Sequence, residues 1–430
     1  MVLKIIPLGG VGEVGRNSIA IDIDGKIIIL DMGFHLERFL EVNSIEQPKH
    51  FVRKLLANDA LPDLRLLRKR RKDVVAIICS HAHLDHIGGI SFLINKFDCP
   101  IYATKFTANV IRNLCSEFRK EPTIIEKDSG STFFIGNLKI DFISVAHSTP
   151  ETVAVAIHTP DGIVVYANDY KNDQNTPFEK PTDIVKLKSL KGKVKLLLLD
   201  SLYASDDSFC SSENEVIDDL LTLKKSLSNK RLVVASTFSS HIFRLKTLCD
   251  LADSMGRKIV FVGRSLSNYI SAAKHIVDLS KRGRLIKYRN QANYFFNSLK
   301  NPQDYFVIAT GHQGEPQAIL SRMVDGIFKF AKDDVVIFSC TTIPTSINIS
   351  QRKILEEKLS HFNVKIIKDI HVSGHAHAND HKELLSWLKP KYLIPLHGEP
   401  FMVDAMNVLA KDDVENILNL TVGQSFIINS

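Results

Sequence analysis

Between Ser80 and Gly89 the chain reads Ser-His-Ala-His-Leu-Asp-His-Ile-Gly-Gly, which gathers His81, His83, Asp85 and His86 into six positions. Neutral imidazole nitrogens and carboxylate oxygens are donors that Zn²⁺ takes, and a set without cysteine fits a catalytic site better than a closed structural one. Side chains two apart in an extended segment fall on the same side, so His81 and His83 can share one ion. Asp85 and His86 then face elsewhere, which a second ion explains. The plain alternative is a solvated polar loop, and three imidazoles in so short a run argue against it.

The elements around this run have to hold it. Val74 to Cys79 is a continuous apolar stretch and reads as a buried strand delivering the histidines at its end. Further back, Leu8 to Arg16 is glycine-rich, but the next segment alternates like strands and not like a helix, so a dinucleotide site is excluded. Ile19 to Ile23 and Lys26 to Leu30 flank Asp24-Gly25, a strong hairpin signal. The second strand ends at Asp31, a carboxylate that could orient a ligand imidazole or simply cap a turn.

Phe133 to Val145 holds two strands around Gly136-Asn137, and the second runs into His147. A histidine there is more often a satisfied core residue, yet it supplies the third imidazole that His81 and His83 need. Val153 to His158 and Ile163 to Ala167 pair across Pro160-Asp161-Gly162, ending in Asn168-Asp169, where a carboxylate can bridge two ions. Leu196 to Leu199 is another apolar strand, ending in Asp200.

At 430 residues the chain is too long for one ordinary core, and two domains are expected. From Ser205 the pattern turns to amphipathic helices alternating with strands, a doubly wound α/β arrangement. Its strand ends carry Ser239-Ser240-His241, Gly263-Arg264-Ser265 and Gly311 to Pro316, residue types suited to a phosphate pocket. We therefore expect one domain over 1–204, an insert over 205–350 and a return to the first domain over 351–430. Strands in that last part lead to Gly374-His375 and to His397, the imidazole that the second ion still lacks.

The six cysteines are scattered and read as small buried hydrophobes. A formal charge of +7 is modest; basic runs at Arg65 to Lys72 and Lys281 to Arg289 could attract phosphate or be solvated faces. No apolar run is long enough to span a bilayer and the first ten residues lack a signal-peptide pattern, so a cytoplasmic protein with no membrane partner is expected.

The His-x-His-x-Asp-His run resembles the signature of the metallo-β-lactamase superfamily. Pro7-Leu-Gly-Gly, Thr237-Phe-Ser-Ser-His, Gly263-Arg-Ser-Leu, Thr310-Gly-His-Gln-Gly-Glu-Pro, His371-Val-Ser-Gly-His-Ala and Leu396-His-Gly-Glu extend the likeness along the whole chain. Together they resemble the β-CASP group of that superfamily, and within it the ribonuclease J family in its short archaeal form. The resemblance implies an αββα metallo-β-lactamase sandwich interrupted by an inserted β-CASP domain. It implies that His81, His83 and His147 hold one zinc, that Asp85, His86 and His397 hold the other, and that Asp169 bridges them. Manganese or magnesium could replace zinc in use.

Asp200, His241 and His375 match the additional β-CASP positions, and histidine at the last of these marks RNA-processing members, where DNA-repair members tend to carry valine. The expected activity is 5′→3′ degradation of single-stranded RNA by a water activated between the ions, favouring 5′-monophosphate ends. His375 is the first choice to protonate the leaving oxygen, with Asp85 as an alternative relay. Ser239, Ser240, His241, Arg264 and Ser265 would grip the 5′-phosphate, with Gly374 and His375 also lining the substrate. A homodimer, possible RNA-processing partner proteins, and β-CASP endonuclease or DNA-repair activity as rivals complete the expectations.

Overall fold

The computed structural model describes residues 2–43, 50–178, 180–343 and 346–428. The chain divides into two compact units, one formed by residues 1–210 with 373–430 and the other by residues 211–372.

In the first unit the described residues form two sheets of seven strands each. One runs, edge to edge, through Phe426–Ile428, Leu3–Gly9, Ser18–Ile23, Lys26–Leu30, Val74–Ile78, Ile101–Ala103 and Ile124–Glu126. The other runs through Asn416–Ile417, Tyr392–Leu396, Val194–Asp200, Gly162–Ala167, Val153–Thr159, Leu138–Ser144 and Thr132–Ile135. The hairpin forms at Asp24-Gly25, both with positive φ (47° and 90°), the conformation a tight two-residue turn demands and glycine accepts freely.

Side-chain parity fixes the layers. Leu196 and Leu198 enter a core shared with Ile21, Ile28 and Ile78 of the opposite sheet. Their neighbours Leu197 and Leu199 face the other way, onto Leu384, Leu385 and Leu388 of helix Ala378–Leu388 and Met406 of helix Pro400–Ala410. A strand buried on both faces has no polar face to present, which is why this one is written as an unbroken apolar run. On the first sheet's side, helix Lys105–Glu117 buries Phe106, Val110 and Ile111, completing the αββα order. Gly162–Ala167, Val194–Asp200 and Tyr392–Leu396 are parallel, with Tyr166 beside Leu198 and Leu198 beside Ile394. That register brings their carboxyl ends to one rim, where Asp169, Asp200 and His397 follow.

The second unit is a six-stranded, wholly parallel sheet in the order Gly283–Ile286, Lys258–Val262, Tyr305–Ala309, Val233–Ser236, Val335–Phe338, Lys365–Ile367. The return to the first unit falls at 372/373, later than the expected 350/351, and the departure at 210/211 instead of 204/205. Lys365–Ile367 pairs with Val335–Ile337, and Leu355 and Leu359 of helix Ser346–His361 pack into the insert's core, so both elements belong to the insert. At the other crossing, Tyr203 bridges to His377 and the Cys210 amide donates to Asp380, which keeps 205–210 with the first unit. No helix among the described residues is long and apolar enough to cross a membrane.

Candidate metal centre

Strand Val74–Ile78 stops short of Ser80; His81 follows, and His83, on extended backbone (φ −76°, ψ 149°), precedes a single helical turn, Leu84–Ile87, that carries Asp85 and His86. His147, Asp169 and His397 arrive from the ends of the second sheet's strands. Donor atoms of His81, His83, His147 and Asp169 lie within 4.8 Å of one another, as do those of Asp85, His86 and His397. Asp169, His375 and His397 form a third such group.

Outer hydrogen bonds set which nitrogen of each ring faces inward. His86 Nδ1 meets Asp31 Oδ2 at 2.7 Å, leaving Nε2 for the site. Asp31 is itself fixed by the Ser80 amide, the Ser80 hydroxyl and the Tyr166 hydroxyl, each at 2.7 Å. His147 Nδ1 meets the Gly374 carbonyl oxygen at 2.6 Å, so its Nε2 also turns inward. Partners of this kind fix the tautomer and ring orientation of a metal ligand.

The inward atoms fit a cation. His83 Nδ1 is 3.0 Å from His81 Nε2 and 3.1 Å from His147 Nε2, and Asp169 Oδ2 lies 3.4 and 3.5 Å from those same two nitrogens. Four donors around a zinc at about 2.0–2.1 Å sit about 3.3–3.4 Å apart, so these separations match the edges of one coordination tetrahedron. Burial, reinforced by the neighbouring imidazoles, holds His83 and His147 well below the usual histidine range, hence neutral with lone pairs to give. Asp169 Oδ1 is buried with His86 Nε2 3.1 Å away, and a carboxylate so enclosed needs positive charge beside it, from that imidazole when protonated or from a cation in the proton's place. Burial would raise the Asp169 pKa, but His86, His397 and His375 outweigh it and hold the group well below the carboxylate range. For His86, burial is outweighed by Asp169, Asp85 and Asp31, and its pKa rises well above the usual value.

His375 Nδ1 is 2.7 Å from Asp200 Oδ2, while its Nε2 lies 3.7 Å from Asp169 Oδ2. Its ring stacks on His397 at 5.6 Å. Asp200 is fully buried and its other oxygen accepts from the Leu202 amide, so it acts on the site through His375.

Residues 11–227 match the description "Metallo-beta-lactamase superfamily", residues 229–356 "Ribonuclease J, beta-CASP domain" and residues 361–418 "Zn-dependent metallo-hydrolase RNA specificity domain". A ribonuclease J from Pyrococcus abyssi (strain GE5 / Orsay) is 38% identical over 427 residues, covering 96% of this chain and 93% of the relative. The chain belongs to the ribonuclease J family. It is accordingly a metal-dependent ribonuclease, a hydrolase on a metallo-β-lactamase fold with an inserted β-CASP domain. A ribonuclease J from Methanocaldococcus jannaschii is 35% identical, covering 96% of this chain and 95% of its own length. A crystal structure titled as a protein of unknown function from Enterococcus faecalis V583 covers both chains fully with a TM-score of 0.69 at 16% identity, a likeness of fold alone.

The remaining ribonuclease J positions expected at the site lie in the second unit. Ser239 and Ser265 bring their hydroxyls to 2.9 Å, and Arg264 opens helix Arg264–Ala272, exposed beside Ser265. Ser240 and His241 are buried, and His241 Nε2 lies 3.4 Å from Glu213 Oε2. Glu213 also forms a two-pronged pair with the fully buried Arg244, which reaches on to Ser339. Glu213 escaped the sequence reading because its partners come from distant segments. Asn17 escaped it too: its side-chain nitrogen lies 3.2, 2.9 and 2.7 Å from Asp85 Oδ2, His86 Nε2 and His397 Nδ1. Its position after a glycine-rich turn was the only signal.

Proposed function

We propose that the chain is a two-zinc exoribonuclease that degrades single-stranded RNA from the 5′ end, preferring a 5′-monophosphate. The observation that carries this reading is the division of labour on Asp169. Its Oδ2 faces His81 and His147, and its Oδ1 faces His86 Nε2 at 3.1 Å, so one carboxylate addresses two donor sets. A pair of divalent ions held there supplies an activated water and counter-charge for the scissile phosphate, and manganese or magnesium can serve in place of zinc. His81, His83 and His147 would hold one ion; Asp85, His86 and His397 would hold the other.

The chain's own residues do the rest. His375 carries the proton for the leaving oxygen: burial opposes its charge, but Asp169 and Asp200 outweigh burial and raise its pKa to about 9. Asp200 keeps the proton-bearing ring turned with Nε2 toward Asp169. In the second unit, the hydroxyls of Ser239 and Ser265, the Arg264 guanidinium and the opening turn of helix Arg264–Ala272 offer donors and positive charge to a terminal phosphate.

The test is digestion of RNA labelled at either end, resolved to single nucleotides, alongside elemental analysis. Mononucleotides released progressively from a 5′-monophosphate end, by protein holding two transition-metal ions, is the expected result. Equal decay of monophosphate, triphosphate and hydroxyl ends removes the phosphate pocket, and internal cuts in 5′-blocked RNA would assign an endonuclease instead.

A further inference from the structure

The three donors of the second set share a neighbour, Asn17, that lies outside the expected ligand set. Asn17 is almost fully buried, and its carboxamide end approaches Asp85 Oδ2, His86 Nε2 and His397 Nδ1 at 3.2, 2.9 and 2.7 Å. An amide NH₂ has two hydrogens, yet three acceptors surround it, while Asn17 Oδ1 is buried with no partner among the described residues. The group is thus over-supplied with acceptors on one side and short of donors on the other. Turning the amide by 180° puts its oxygen among those three atoms, where it can accept from a protonated ring nitrogen while the site is empty and complete a set of four lone-pair donors once a cation takes the proton's place.

The dimensions agree with that. Asp85 Oδ2 is 3.6 Å from His86 Nε2 and 3.7 Å from His397 Nδ1, so with the carboxamide end as fourth vertex the measured edges run from 2.7 to 3.7 Å. A tetrahedron of zinc ligands has edges of about 3.3–3.4 Å. The backbone places Asn17 firmly: its amide donates to the Asp85 carbonyl at 2.9 Å and its carbonyl accepts from the Gly33 amide at 3.0 Å. His397 is tied to the same loop, with its amide on the Gly10 carbonyl at 2.8 Å and the Gly15 amide 3.3 Å from its Nδ1.

We infer that Asn17 is a neutral oxygen ligand of the second ion, its carboxamide turning to present Oδ1 when the cation enters. This rests on the two-ion reading above. Carboxamide oxygen suits harder divalent ions, so the second position would be the weaker and more exchangeable of the two, and Asn17 would set how weak.

The measurement is titration of the chelator-stripped full-length chain with Co²⁺, followed by visible absorption for coordination and by metal content for stoichiometry. Asn17→Ala is expected to take the first equivalent as the wild type does and to bind the second at least tenfold more weakly, with altered absorption at that step. Asn17→Asp, which offers an oxygen at the same place, is expected to bind the second equivalent at least as tightly as the wild type. Unchanged second-ion affinity in Asn17→Ala overturns the inference. So does equal weakening in both variants, because an amide needed only as an N–H donor is lost in both. If the wild type itself takes up a single equivalent, it is the two-ion reading that falls. Unfolding in chelator, unchanged between variants and wild type, verifies that a weaker second step reflects the ligand and not the fold.

Discussion

Four donors converge on the carboxylate of Asp31: the Ser80 amide, the Ser80 hydroxyl, the Tyr166 hydroxyl and His86 Nδ1. A carboxylate can accept them all; an amide has one oxygen and must turn N–H toward some of them. Asp31→Asn is therefore expected to loosen His86 and lower metal affinity about 10–100-fold, measured by competition with a chromophoric chelator. Asp200 acts on proton inventory instead. Its charge favours the protonated form of His375, so removing it lowers the His375 pKa, and the protonated form disappears at a lower pH. In Asp200→Asn the alkaline limb of the kcat/KM profile should move toward acid by about one pH unit. An unmoved limb would take the proton-donor role away from His375. Residue by residue, His81, His83, Asp85 and His86 stood out as ligand candidates because their types and spacing are local facts. Asn17, Tyr166 and Glu213 were not, since their chemistry depends on what arrives from elsewhere in the chain.

Among the elements, the apolar run Val74–Ile78 and the hairpin at Asp24-Gly25 could be read directly, because burial on both faces and turn geometry each leave a short-range mark. Gly283–Ile286 could not. It is an edge strand inside a basic run, and its neighbours are engaged within the unit: Arg282 with Asp250 and Asp253, Arg284 over Phe295. In the other basic run two side chains are engaged locally, Arg65 on Asp63 and Arg70 on Asp22 and Asp73. Lys365–Ile367 was seen as a strand but given to the wrong unit, since only its pairing with Val335–Ile337 decides membership. At the mouth of helix Arg264–Ala272, Gly263 adopts φ 142°, and a Cβ there would meet Thr310 Cγ2 at 2.4 Å. Gly263→Ala should cost of order 1–3 kcal/mol in backbone strain alone, seen as a lower urea midpoint, and should blunt discrimination for a 5′-monophosphate through the displaced Arg264 and Ser265.

At the scale of the whole molecule, the candidate donor set draws on residues from 81 to 397, so ions held there would join segments that the sequence keeps far apart. Ligands that bind only the folded state stabilise it by mass action, about 2.7 kcal/mol for each site at a hundredfold excess over Kd. Chelation should therefore lower the thermal midpoint of the full chain, and readdition of Zn²⁺ should restore it. A midpoint indifferent to chelator would mean that cations contribute nothing to holding His397 against Asp85. The interrupted first unit also has a temporal meaning. His397 is made long after the histidine loop, and if it completes the second donor set, a polypeptide still emerging from the ribosome would have no finished hydrolytic centre until that residue is added and docked. On the two-ion reading, the messenger being translated would not be exposed to an active nuclease growing from it.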